Sequence, residues 1–156
     1  MINKTRLFAG AFLWWNDEVI LMQRSLNKKL APGMWAGVGG HIEQSEINSP
    51  ITACFREIAE ETGIQSTQIR NLDLRYVAVF KTEDILDSVY YFIGELKERC
   101  NLQQTNEGKL HWVNIRDGVD LEMSPHVKAV YLHWVNNMND TNLHCFLGSD
   151  IQPLIY

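Results

Sequence analysis

The chain is expected to fold as an α/β (α+β) layered domain, and three features predict it. Apolar runs of strand composition open the chain and recur through its middle. Two stretches beginning Ser-Pro carry apolar residues at helical spacing. One of these lies among the strands, an order that suits helices layered on a sheet. The length of 156 residues suffices to bury one core, so a single domain over 1–156 is expected. Hydrophobic residues make up 46% and charged residues 21%, the composition of an ordinary soluble domain.

The first element is a hairpin. "LFAGAFLWW" (7–15) and "VILMQR" (19–24) flank the turn Asn16-Asp17-Glu18. Lys4 and Arg6 before the apolar run imitate the start of a targeting signal. The run stops after nine residues, too short to cross a membrane. A cytoplasmic protein with no membrane partner is expected. The cysteines agree: Cys54, Cys100 and Cys145 are odd in number, form no CxxC pattern and read as packing residues in a reducing compartment.

Residues 25–34 are polar and carry a Pro-Gly turn signal. In "WAGVGG" (35–40), three glycines within four positions imply a tight bend or a close approach to a ligand. The first helix spans about 50–62, with Ser49 as N-cap, Pro50 at its first position and Gly63 just past its end. Ile51, Cys54, Phe55, Ile58 and Thr62 form its core stripe, and Arg56, Glu57, Glu60 and Glu61 lie on the other side. Strands follow over 72–80, 88–96 and 109–115, the first two joined by the loop "KTEDILD". A second helix starts at Ser124-Pro125 and buries Val127, Val130, Tyr131 and Trp134. Beyond it comes a tail, about 137–156, with a final strand or docking segment in "LHCFLGSDIQPLIY".

The chemistry lies in "REIAEETG" (56–63). Glu57, Glu60 and Glu61 stand at i, i+3 and i+4 of the first helix, so three like charges share a face. Such pairs cost an isolated helix roughly 0.2–0.5 kcal/mol each. Exposed glutamate is common on helices and by itself needs no function. Here, however, the helix follows a glycine loop with two more acids, Glu43 and Glu46. Carboxylates and bare backbone carbonyls are the ligands a hard cation such as Mg²⁺ takes alongside substrate phosphates.

"GGHIEQSEINSPITACFREIAEETGI" resembles the Nudix box, G-x5-E-x7-R-E-U-x-E-E-x-G-U with U aliphatic. Gly40, Glu46 and the block Arg56 to Ile64 supply its residues, so the box covers about 40–64. The spacer departs from the pattern: nine residues (47–55) replace seven, and the two extra are assigned to the loop at Ile47-Asn48.

The resemblance implies an α/β/α sandwich around a central mixed sheet. It implies hydrolysis of a nucleoside triphosphate or related nucleotide by water attack at phosphorus, with Mg²⁺ or Mn²⁺ as cofactor. Gly39 (through its carbonyl), Glu57, Glu60, Glu61 and Glu107 are then the metal-ligand candidates, and Glu57 and Glu60 both remain candidates for the base. Arg56 orients the carboxylates together with Glu46. Arg24, Trp35, Gly40 and His41 are the substrate-binding candidates. Trp112, Tyr76 and Phe80 are further aromatics that could stack on a base or simply fill the core. The partner is a small nucleotide, with the protein a monomer or homodimer. A net charge of −5 leaves duplex nucleic acid unfavoured. Two other outcomes stay open, a silent domain that only binds a nucleotide and a hydrolase of another nucleoside diphosphate derivative or an RNA 5′ end. The silent case sits poorly with three intact box glutamates.

"PGMWAGVGGHIE" is most similar to family members that clear oxidised guanine nucleotides. Some of those carry Asn after the Trp, where this chain has Ala36, and acids where it has Ser124-Pro125-His126. Weak selection between bases is therefore expected, because buried hydrogen-bonding groups give large discrimination.

Overall fold

A computed structural model describes residues 1–148 and 152–153. One long strand organises the molecule. β1 (Lys4–Trp15) pairs antiparallel with β2 (Glu18–Arg24) through its last residues and with β4 (Val38–His41) through Phe8–Ala11. Its other edge runs parallel to β6 (Ile85–Leu96) along nearly its whole length. The hairpin turn is tight, with Asn16 at φ 54, a left-handed position that Asn tolerates. β3 (Trp35–Ala36) adds to β2, and β7 (Gly108–Asn114) also pairs with β2. β5 (Ile69–Thr82) lies antiparallel to β6 on one side and parallel to β8 (His144–Leu147) on the other. β9 (Gln152–Pro153) ends the order β3-β2-β1-β6-β5-β8-β9. The sheet is mixed, as expected.

β1 shows why helices cover both faces. Successive side chains of a strand point to opposite sides. Ala9, Ala11 and Leu13 join Ile20, Cys54 and Ile58 in a cluster under α1 (Pro50–Thr62). Phe12 joins Tyr91, Tyr131 and Trp134 under α2 (Pro125–Asn136). The result is the α/β/α layering that the motif implied.

The differences from expectation have physical causes. The glycine stretch is strand, not loop: β4 packs so closely on β1 that a side chain at Gly39 would come within 2.2 Å of the Ala9 carbonyl oxygen. "KTEDILD" shrinks to a turn at Glu83 and Asp84, because Ile85, Leu86 and Asp87 pair with β1 and β5. The α1 stripe is rotated. Ala53, Cys54, Ile58, Glu61 and Thr62 are buried, whereas Ile51 is 37% exposed and Phe55 half-buried. Of the cysteines only Cys54 is buried, and Cys145 is exposed. The second helix buries the four residues expected of it. The expected tail strand appears in part as β8 and β9, and its residues 149–151 and 154–156 lie outside the described residues.

Candidate active site

Helix α1 owes its position to its ends. Ser49 is the N-cap, with its hydroxyl turned to Thr52 Oγ1 at 2.8 Å, and Pro50 opens the first turn. Gly63, at φ 76, closes the last turn by donating its N–H to the Ala59 carbonyl. The two extra residues, Ile47 and Asn48, stand exposed between a short 3-10 turn (Gln44–Glu46) and the helix start, so the register of α1 is undisturbed.

That register lays Glu57 and Glu61 against β4. A side chain at Gly40 would come within 2.5 Å of Glu57 Oε1, so glycine there makes the space that the carboxylate fills. Glu61 Oε2 accepts the Gly39 N–H at 2.9 Å. Glycine-rich β4 thus lets acidic side chains lie on bare backbone, which sequence spacing alone did not reveal. It is also why Glu61, expected on the outer face, is 8% exposed.

Arg56 gathers the remaining groups. Its Nε and Nη2 donate to the two oxygens of Glu46 at 2.7 and 3.0 Å, a forked pair. Its Nη1 donates to Glu57 at 2.8 Å and reaches Glu60 at 3.3 Å. Nη2 also donates to the His41 carbonyl at 3.0 Å. Glu46 is buried, and Arg56 holds its carboxyl down at about 2, so it remains ionised. The inserted residues therefore leave the Glu46 contact intact.

The two carboxylates nearest the sheet shift the other way from Glu46. Burial pushes Glu61 up to about 8, against the Gly39 N–H that opposes it. Burial also raises Glu57, partly countered by Arg56. Negative charge at these positions is under-compensated by the protein.

Glu57, Glu60 and Glu61 share a cavity of about 510 Å³ with Gly39, Gly40 and Glu107. His41 lines the cavity too, with its ring tilted on Phe8 at 4.4 Å. Glu107 enters from the loop before β7 and pairs with Lys28. Among the described residues, no three acidic, His or Cys side chains converge to hold a metal as placed. The cavity carboxylates face protein donors instead: Arg56 for Glu57 and Glu60 and, at 3.8 Å, Glu43, the Gly39 N–H for Glu61, and Lys28 for Glu107. The donor chemistry still suits a hard divalent cation, being all oxygen and excess negative charge beside a backbone groove.

Arg24 and Trp35 lie outside the cavity lining. The Arg24 Nε donates to the Leu30 carbonyl at 3.0 Å, and Trp35 packs on the α2 side of the core with its ring 5.2 Å from that of His111. Tyr76 is fully buried. Trp112 donates its ring N–H to the Cys100 carbonyl, and Phe80 stacks on His126 at 4.5 Å. The residue that sequence reasoning missed is Lys28. It sits in a polar loop without a motif, and only the fold brings it to Glu107.

Comparisons with known proteins agree with this architecture. A model of the NUDIX domain matches residues 4–135. The chain is 31% identical over 115 residues to the uncharacterised Nudix hydrolase YvcI of Bacillus subtilis, a match covering 70% of this chain and 66% of YvcI. It is 35% identical over 71 residues to an 8-oxo-dGTP diphosphatase of Proteus vulgaris, covering 46% of this chain and 61% of that protein. The matched segments are thus less than two thirds of either relative. A MutT protein from Bacillus halodurans superposes with a TM-score of 0.73 at 24% identity, over 96% of this chain and 95% of the other. Among the described residues no helix is long and apolar enough to cross a membrane. The glutamates of α1, the glycines of β4 and the domain match lead to one family assignment: the chain belongs to the Nudix hydrolases.

Proposed function

We propose that the protein is a Mg²⁺- or Mn²⁺-dependent pyrophosphohydrolase that cleaves nucleoside triphosphates to monophosphate and pyrophosphate. The observation that carries this reading is the cavity itself, where Glu57, Glu60, Glu61 and Glu107 line one wall system braced by Arg56. A bound divalent cation would neutralise phosphate charge and acidify the attacking water. Glu57, Glu60, Glu61, Glu107 and the Gly39 carbonyl are the groups that would hold it. Arg56 and Glu46 keep the carboxylates aimed, since their forked pair fixes the guanidinium plane. Glu57 or Glu60 receives the proton released by the water.

Weak base selectivity follows from groups already engaged. Ala36 offers no polar side chain. On the α2 side, His126 Nδ1 meets the Tyr91 hydroxyl at 2.6 Å and Nε2 meets Ser124 Oγ at 3.3 Å, so both ring nitrogens are taken. Arg6 and Asp87 likewise satisfy each other through two bonds of 2.7 Å. The Proteus vulgaris relative makes 8-oxo-dGTP the first substrate to compare.

The test is product release from nucleoside triphosphates, ADP-ribose, NADH and dinucleoside polyphosphates, with Mg²⁺ and again with EDTA. Triphosphates should be cleaved and EDTA should abolish cleavage. An oxidised purine should gain about tenfold or less in kcat/KM over dGTP and dCTP, about 1.4 kcal/mol. Full activity in EDTA would refute the metal-dependent reading, and a preference of several hundredfold for 8-oxo-dGTP would refute weak selectivity.

A further inference from the structure

Three cations stand near the carboxylate cavity, and they differ in how firmly they are held. Arg56 is committed at every nitrogen, to Glu46, Glu57, Glu60 and the His41 carbonyl. The Nε of Arg24 is turned to the Leu30 carbonyl within its own loop. Lys28 has one side-chain partner, Glu107, a residue of the cavity lining, and the two are 30% and 49% exposed. A nucleoside triphosphate brings a highly anionic tail into a cavity already lined by five glutamates, Glu43, Glu57, Glu60, Glu61 and Glu107. Such a tail needs protein cations as well as the metal ion, and Arg56 has no donor to spare.

The loop that carries Lys28 is built to keep it there. Its base is closed by Arg24 N–H to the Met34 carbonyl at 2.9 Å and Gly33 N–H to the Arg24 carbonyl at 3.1 Å. Ser25 N–H donates to the Glu107 carbonyl at 3.2 Å, tying the loop to the strand entry that carries Glu107. A turn from the Lys28 N–H to the Ser25 carbonyl at 3.1 Å then sets Lys28 beside Glu107. The backbone is fixed, whereas the ammonium rides a four-carbon stem with three rotatable donors.

Resting on the nucleotide reading above, we infer that Lys28 is a specificity residue that exchanges Glu107 for the terminal phosphates of a nucleoside triphosphate. In the resting protein the pair balances charge at Glu107. With substrate present, Glu107 is released toward the cavity and Lys28 contacts the far end of the phosphate chain. A diphosphate linked at both ends, as in ADP-ribose, has no terminal phosphate and gains nothing from Lys28. The residue therefore favours triphosphates over linked diphosphates.

The experiment is calorimetric binding of an α,β-methylene nucleoside triphosphate, which cannot be cleaved between those phosphates, in Mg²⁺. Lys28→Met should weaken the Kd about tenfold, Lys28→Arg should stay within about threefold, and Lys29→Met should match wild type. In turnover, Lys28→Met should raise KM for triphosphates with kcat within about twofold, and leave ADP-ribose binding unchanged. A Lys28→Met Kd within twofold of wild type would overturn the inference, as would an equal loss in Lys29→Met, which would reduce it to a general charge effect. Wild type that binds the analogue but cleaves no triphosphate refutes the proposed function, and the Kd values still decide the role of Lys28. Wild type that does not bind the analogue overturns both.

Discussion

Helices α1 and α2 both begin at a Ser-Pro pair, run for 13 and 12 residues and cover opposite faces of one sheet. α1 presses carboxylates onto glycine backbone, and α2 presses aromatic rings onto other rings. Under α2, Phe12 stacks on Trp134 at 5.7 Å and meets Tyr131 edge-on at 5.3 Å. The Tyr131 hydroxyl donates to the Ile115 carbonyl, so the polar tip is satisfied. Under α1, burial raises the carboxyls of Glu57 and Glu61 above their ordinary range. The same start signal and nearly the same helix length thus pack an aromatic core on one face and a buried acidic cluster on the other. What separates them is the partner strand, β4 with its glycines or the aromatic side of β1 and β6.

This contrast yields variants that should fail in opposite ways. The largest effect is expected for Glu57→Gln, a fall in turnover of roughly a thousandfold, about 4 kcal/mol of barrier. Its melting temperature should hold or rise, since an under-compensated charge is removed. Loss of folding with normal specific activity would reverse the assignment of the two faces. Trp134→Ala, by contrast, should cost about 3–5 kcal/mol of stability by leaving a core cavity, measured by urea unfolding. The folded fraction should retain its kcat.

The α2 face carries a pH effect of its own. Burial lowers His126 from its ordinary value to about 4, with Asp87 opposing in part. The unfolded chain then binds a proton below about 6.5 that the folded chain refuses until about 4. Stability from this site is full above the unfolded value and is lost as pH falls through that window, by on the order of 3 kcal/mol. His126→Asn should flatten that acid limb in unfolding curves recorded from pH 7 to 4. An unchanged limb would assign acid sensitivity to other groups.

The smallest effect is expected for Ile51→Gln, within about 0.5 kcal/mol, as for surface changes in general. A loss of 2 kcal/mol or more would restore Ile51 to the core stripe that helical spacing predicts.

That pair of outcomes bears on what could be read from the sequence. Helix ends, the approximate spans of the longer strands and the acidic block were legible, because caps, strand composition and i, i+3, i+4 spacing are local signals. The Arg56 hub was legible in part, since its i+4 partner Glu60 is local, and Glu46 was reached through the motif. The rotation of α1 was not, because it depends on how closely β4 approaches β1, a long-range consequence of Gly39 and Gly40. The burial of Glu61 and the pairing of Lys28 with Glu107 share that cause: each joins segments distant in sequence, and no residue in the loop announces the contact.

The central claim is that the α1 face holds the catalytic cation and the α2 face does not. Mn²⁺ binding followed by electron paramagnetic resonance tests it without relying on turnover. Wild type and His126→Asn should bind Mn²⁺ with the same affinity, and Glu57→Gln should bind at least tenfold more weakly. Equal binding by Glu57→Gln and wild type, or no binding by either, would contradict it.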